Sequence, residues 1–87
     1  MAQEFWDFSA QVDDELAARF PNCTATLSRP IWVLGNRAVA MEPSVGNLVT
    51  LSLYENGRLI RRRANAAVLG APVGTARFIR LLLQRGR

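Results

Sequence analysis

Within six residues the chain places Arg58, Arg61, Arg62 and Arg63, and Tyr54 stands four residues before the first of them. An aromatic ring among guanidinium groups offers stacking and phosphate pairing to nucleic acid, or a contact surface to a protein that itself binds nucleic acid. Phosphate contacts of this kind would make binding fall steeply with salt. Strand arginines can equally serve to keep a sheet edge soluble. A second basic group, Arg77 and Arg80, recurs at three-residue spacing nearer the C-terminus. Catalytic options are few. The chain has no His and a single cysteine, Cys23, which excludes a Cys/His metal centre, a Ser-His or Cys-His nucleophile pair and an internal disulfide. Asp13, Asp14 and Glu15 are consecutive on a helical segment, so they point about 100° apart and do not converge as an acid–base pair. They read as a solvated helix face. Gly70-Ala-Pro-Val-Gly74 precedes a helix but lacks the Gly and Lys spacing of a phosphate loop. No catalytic residue, cofactor or metal is expected, and the chain is not expected to be an enzyme.

Charge is unevenly placed. Residues 1–20 hold Glu4, Asp7, Asp13, Asp14 and Glu15 against Arg19, whereas residues 58–87 hold eight arginines and no acid. The formal net charge of +4 therefore hides a dipolar molecule. An acidic start argues against a uniformly basic nucleic-acid binder and permits head-to-tail self-association. At 87 residues the chain makes one domain, spanning 1–87, of a size that gains from burial against a second copy or a partner. No apolar run approaches the roughly 20 residues of a membrane span, and the acidic N-terminus is unlike a signal peptide. A cytoplasmic location is the expectation, with no membrane partner, as a monomer or homodimer.

The elements that must position these groups follow from periodicity. Phe5, Phe8, Val12, Leu16 and Phe20 recur at helical steps over 4–20, with acids in the first turns. Trp6 lies off the centre of that stripe and reads as a core-edge residue in preference to a binding residue. Cys23 to Arg29 alternates, with Cys23, Ala25 and Leu27 facing in, until Pro30. Ile31–Leu34 and Arg37–Met41 flank Gly35-Asn36, which reads as a tight hairpin or as one strand bulged at Gly35. Residues 42–47 read as a loop.

Asn56-Gly57 is the strongest local signal, because a type I′ turn requires positive φ at both central residues. It joins Leu48–Tyr54 to Arg58–Ala64 and sets a register pairing Tyr54 with Leu59, Leu53 with Ile60, Ser52 with Arg61 and Leu51 with Arg62. Cross-strand partners share a face. Val49, Leu51, Leu53 and Ile60 then form a core face, on which Arg62 is anomalous. Ser52, Tyr54, Leu59, Arg61 and Arg63 form an open face. Asn65 to Leu69 extends or follows the strand. Thr75 is the expected N-cap of a last helix over 76–85, with Phe78, Ile79, Leu82 and Leu83 as its apolar stripe. The expected fold class is α+β: an N-terminal helix, an antiparallel sheet of about four strands with the central hairpin at Asn56-Gly57, and a C-terminal helix, with the helices on one face.

The segment Leu53-Tyr54-Glu55-Asn56-Gly57, followed by Ile60, Arg63, Val68, Gly70, Val73, Gly74 and Phe78, resembles the central hairpin and following strand of a small phage anti-CRISPR family that inhibits the type I-F CRISPR surveillance complex. The shared stretch, Tyr54 to Phe78, is less than a third of the chain. The resemblance implies a phage inhibitor that grips the complex's backbone subunits and blocks target DNA, with Tyr54 as the matching hairpin tyrosine. The family's glutamate contact on the next strand falls at Asn65, and a tyrosine of its first strand falls near Ala40, so both of those contacts differ here. The family also places its helices after the sheet, whereas this chain begins with one. Together the residues and the resemblance predict a non-enzymatic binding protein with Tyr54, Arg61, Arg63, Arg58, Ser52 and Asn65 at the partner surface and Arg77 and Arg80 as a second basic face. The expected partner is a protein or ribonucleoprotein complex in an infected bacterial host. Direct nucleic-acid binding through the hairpin and last helix is the alternative.

Overall fold

The computed structural model describes residues 2–19, 24–26, 30–45, 48–66 and 71–84. Two helices and five strands follow one another as α1 (Ala2–Arg19), β1 (Thr24–Thr26), β2 (Ile31–Leu34), β3 (Arg37–Pro43), β4 (Val49–Glu55), β5 (Arg58–Ala66) and α2 (Ala71–Gln84). The strands form one antiparallel meander in which spatial order equals chain order. This is the expected α+β arrangement, with Thr24–Thr26 bringing the strands to five; Cys23 and Leu27 lie outside the described residues.

The core lies between the two helices and one sheet face. Trp32, Val39, Met41, Val49, Leu51 and Leu53 come from the strands, Val12 and Leu16 from α1, and Ala76, Ile79, Leu82 and Leu83 from α2. Period-2 alternation in β3 and β4 and period-3.6 stripes on the helices give each element one apolar side, and these sides meet. Phe5 and Phe8 pack half-buried against that cluster, while Phe20 lies outside the described residues. Among the described residues, no helix lies over the opposite sheet face. Its Ala40, Thr50 and Ser52 are nevertheless buried, because short side chains are shaded by longer neighbours.

Two polar anchors tie the helices to the sheet. Trp32 Nε1 donates to Asp13 Oδ1 at 2.9 Å, so Asp13 is not a bystander of a solvated acidic face. Its partner lies nineteen positions away in the chain, beyond the reach of a local pattern. Arg37 Nη1 donates to the Leu82 carbonyl at 2.8 Å, and Arg37 Nη2 lies 3.4 Å from Glu55. Leu82 is in the last turn of α2, where carbonyls lack helical partners and a cation is favourable.

Helix α2 begins at Ala71, not at residue 76. Residues 71–74 are therefore helical, and Thr75 is a buried interior residue rather than an N-cap. Pro72 falls in the first turn, where its missing N–H costs nothing. This leaves no loop at 71–74 in which to cradle a phosphate. Strand β3 likewise runs two residues further than expected, to Pro43, and the chain turns where Leu48 N donates to the Val45 carbonyl at 3.0 Å.

Both two-residue hairpin turns form. Gly35 has φ 64°, and Asn56 and Gly57 have φ 54° and 80°; β2 and β3 pair antiparallel with Leu34 opposite Arg37, so Gly35-Asn36 is a hairpin and not a bulge. The two turns lock side by side: Asn56 N donates to the Asn36 carbonyl at 2.8 Å, and Asn36 Nδ2 to Asn56 Oδ1 at 3.3 Å. Nothing lies within 4 Å of a Cβ placed on Gly57. Gly57→Ala should therefore cost only the left-handed backbone penalty, about 1–2 kcal/mol. A thermal melt reads this, and an unchanged midpoint would count against the type I′ geometry.

Candidate nucleic-acid or protein interface

The Asn56-Gly57 turn imposes the expected pairing for two steps, Glu55 with Arg58 and Tyr54 with Leu59. The ladder then slips. Leu53 pairs with Arg61, Ser52 with Arg62 and Leu51 with Arg63, leaving Ile60 as an extra residue in β5. A bulge of this kind is common on edge strands, and β5 is an edge. The local sequence offers no resistance: Leu59 and Ile60 are adjacent and three arginines follow, so no alternation fixes which residues face the core.

The slip overturns the expected grouping of side chains. Arg61 and Arg63 share the helix-covered face with Leu53 and Leu51, not the open face with Tyr54. Arg62 pairs with Ser52 and joins Tyr54 and Leu59 on the open face, which removes its anomaly. Ile60, expected in the core, is 48% exposed, and Leu59 is 51% exposed. The edge strand thus carries guanidinium groups on both faces. Arg58, Arg61, Arg62 and Arg63 are all exposed, and none has an ion pair with a described acidic residue.

On the helix side, the Arg63 guanidinium carbon sits 5.4 Å from the centroid of the Phe78 ring, a distance at which the ring's quadrupole attracts the cation. Between β5 and α2 lies a cleft of about 210 Å³. Leu51, Leu53 and Leu82 form its floor, while Phe78, Leu81, Arg61 and Arg63 form its walls. Leu81 is 52% exposed. The Leu81 and Phe78 walls were not foreseen, because the helical stripe marks Phe78 only as core and omits Leu81.

On the open face, Ile31, Val33, Ala38, Ala40 and Tyr54 line a shallow depression of about 500 Å³ that reaches the two turns at Gly35 and Gly57. Ala38 pairs with Tyr54, and Ala40 with Ser52. Small side chains on β3 thus leave a hollow beside the half-buried tyrosine. Tyr54 and Ser52 are brought together with Arg62 and separated from Arg61 and Arg63. Asn65 lies further along β5.

Arg77 and Arg80 do not extend this surface. They border a cavity of about 120 Å³ with Glu15 and Leu16 of α1, so the expected second basic face meets the first helix. Among the described residues, no three His, Cys, Asp or Glu side chains are grouped to hold a metal ion, and no helix is long and apolar enough to cross a membrane. No protein-family model matches the chain, and no curated protein or solved structure matches it either.

Proposed function

We propose that this protein acts by binding, without covalent chemistry, and that its partner is a ribonucleoprotein or protein complex met edge-on by β5. The observation that carries this reading is the placement of Arg58, Arg61, Arg62 and Arg63 along one exposed edge strand, with no described acid paired to them. Bringing such guanidinium groups into an interface breaks no described ion pair, and each can form forked bonds to carboxylate or phosphate. A partner approaching the edge meets Arg61, Arg63 and the apolar cleft on one side. On the other it meets Arg62, Tyr54 and Leu59.

The resemblance of Tyr54 to Phe78 to an anti-CRISPR family makes the type I-F surveillance complex the first partner to test, with blocked target-DNA recognition as the effect and the cytoplasm of an infected bacterium as the setting. Purified chain should be captured by immobilised surveillance complex and should compete with target DNA. Absence of capture at micromolar concentration removes that partner.

Direct nucleic-acid binding is the second reading, favoured by the same exposed guanidinium row. Against it, the tyrosine that would stack a base stands on the opposite face from Arg61 and Arg63, and the ring nearest those arginines, Phe78, is covered by Arg63. A gel shift with free DNA and RNA at two salt concentrations separates the readings. Steep salt dependence together with loss on reversal of Arg61 to Arg63 would favour nucleic acid.

A further inference from the structure

The structure holds a concave feature and a convex one that match in size, chemistry and charge, and both belong to this chain. The concave feature is the cleft between β5 and α2. At about 210 Å³ it is smaller than the roughly 300–1,000 Å³ of small-molecule sites, and it suits one large side chain. Its floor of Leu51, Leu53 and Leu82 is apolar, and its mouth carries Arg61 and Arg63. The convex feature is the outer side of α1. Trp6 is 43% exposed there, the most exposed aromatic ring among the described residues, and is braced edge-on against Phe5 with ring centroids 5.5 Å apart. Its neighbours Glu4 and Asp7 make the surrounding sequence acidic.

We propose that the cleft between β5 and α2 of one copy receives Trp6 of a second copy, with the acidic α1 of that copy facing Arg61 and Arg63. A Trp side chain buried in a pocket and ringed by charge pairs is the common form of an interface anchor. Both sides of the contact are distinct surfaces of one chain. Under a two-fold axis two copies exchange anchors reciprocally, closing a dimer in which Trp6 and the cleft are each used twice; without that axis the same contact would run head to tail into larger assemblies. The alternative self-contact, β5 edge against β5 edge, sets arginine against arginine and is disfavoured.

Sedimentation velocity of the full chain tests this at a concentration on the order of 100 µM, suited to an interface at the small end of the known range. In low salt (on the order of 0.01 M, Debye length ~30 Å) the mass should be that of a dimer. In salt of about 1 M (Debye length ~3 Å) it should fall to the monomer. Trp6→Ala should weaken association at least tenfold, and so should Leu81→Glu at the cleft rim, with thermal melts confirming that both variants fold. In a Trp32→Phe background Trp6 is the only indole, and its emission should shift to the blue as concentration rises. A monomer under the low-salt condition overturns the proposal. So does a dimer indifferent to both Trp6→Ala and Leu81→Glu. Trp6 lies on α1 and not on β5, which carries the partner surface, so loss of self-association in Trp6→Ala with retained capture of the partner would separate this contact from the proposed function.

Discussion

Trp32→Ala should leave the domain largely unfolded at moderate temperature. Trp32 is 1% exposed and the largest fully buried side chain, sitting on the short strand β2 where α1 must dock. Truncating a buried Trp costs about 3–5 kcal/mol in lost burial and residual cavity. The indole N–H that holds Asp13 at 2.9 Å is lost with it, which removes a polar tie between α1 and the sheet. Domains carry roughly 0.05–0.15 kcal/mol of stability per residue, so a chain this short loses a large fraction of its total. At about 4–8 °C per kcal/mol for domains of this size, the midpoint should fall by more than ~12 °C. Trp32→Phe separates the two contributions: it keeps most of the burial, removes the N–H and should cost about 1–2 kcal/mol. Circular dichroism melts of the three proteins decide the matter. If Trp32→Ala melts within a few degrees of the parent, the sheet–α1 junction is not as described.

The second large effect concerns binding. Arg61→Glu/Arg63→Glu should abolish capture of the partner while the domain still folds. Both side chains are exposed, and exposed substitutions usually move stability by no more than about 0.5 kcal/mol. The one intramolecular contact at stake, Arg63 over Phe78 at 5.4 Å, is worth about 0.5–1 kcal/mol at an exposed site. In a complex, each guanidinium forming a charge-assisted bond contributes about 1.5–3 kcal/mol, so losing two implies an affinity drop on the order of 100-fold or more. Substituting Glu adds repulsion to that loss. The comparison variant is Tyr54→Ala/Arg62→Glu on the opposite face, expected to weaken capture by a smaller factor, since it removes one guanidinium and leaves the cleft intact. Affinity by surface titration at fixed salt measures both. Wild-type affinity in Arg61→Glu/Arg63→Glu would show that β5 is not the contact strand, whatever the partner.

Much of this layout is legible in the residues. Alternation along Val49 to Leu53 assigns the inner face of β4, and Asn56-Gly57 fixes the turn because few other dipeptides accept two positive φ values. The same signal has a short reach. It dictates two cross-strand pairs, and the run Leu59-Ile60-Arg61-Arg62-Arg63 contains nothing to carry that register further. The bulge at Ile60 enters there and moves Arg61 and Arg63 to the other face from Tyr54. The candidate residues of β4 and β5 therefore do not share one surface. At α2 the misreading has another origin. Pro72 and Gly74 are breakers in a helix interior but tolerable near its start, so local propensity obscured a first turn that tertiary packing supports. Asp13 and Arg37 were opaque for a third reason: their partners, Trp32 and the Leu82 carbonyl, are remote in the chain, and no short window contains both ends.

The meander has a consequence for how the chain comes together. Every strand pairs with the one made just before it, so each ladder closes a short loop at small entropic cost, the condition for rapid assembly. The helices are different, because α1 and α2 pack on each other although all five strands separate them in the sequence. During synthesis α1 emerges before the strands and the sheet can zip behind it, but the apolar stripe of α1 and the inner faces of β3 and β4 lack their cover until α2 is released. Because α2 follows all five strands, the core is sealed only after the sheet is made, and until then the growing chain exposes its apolar inner surface.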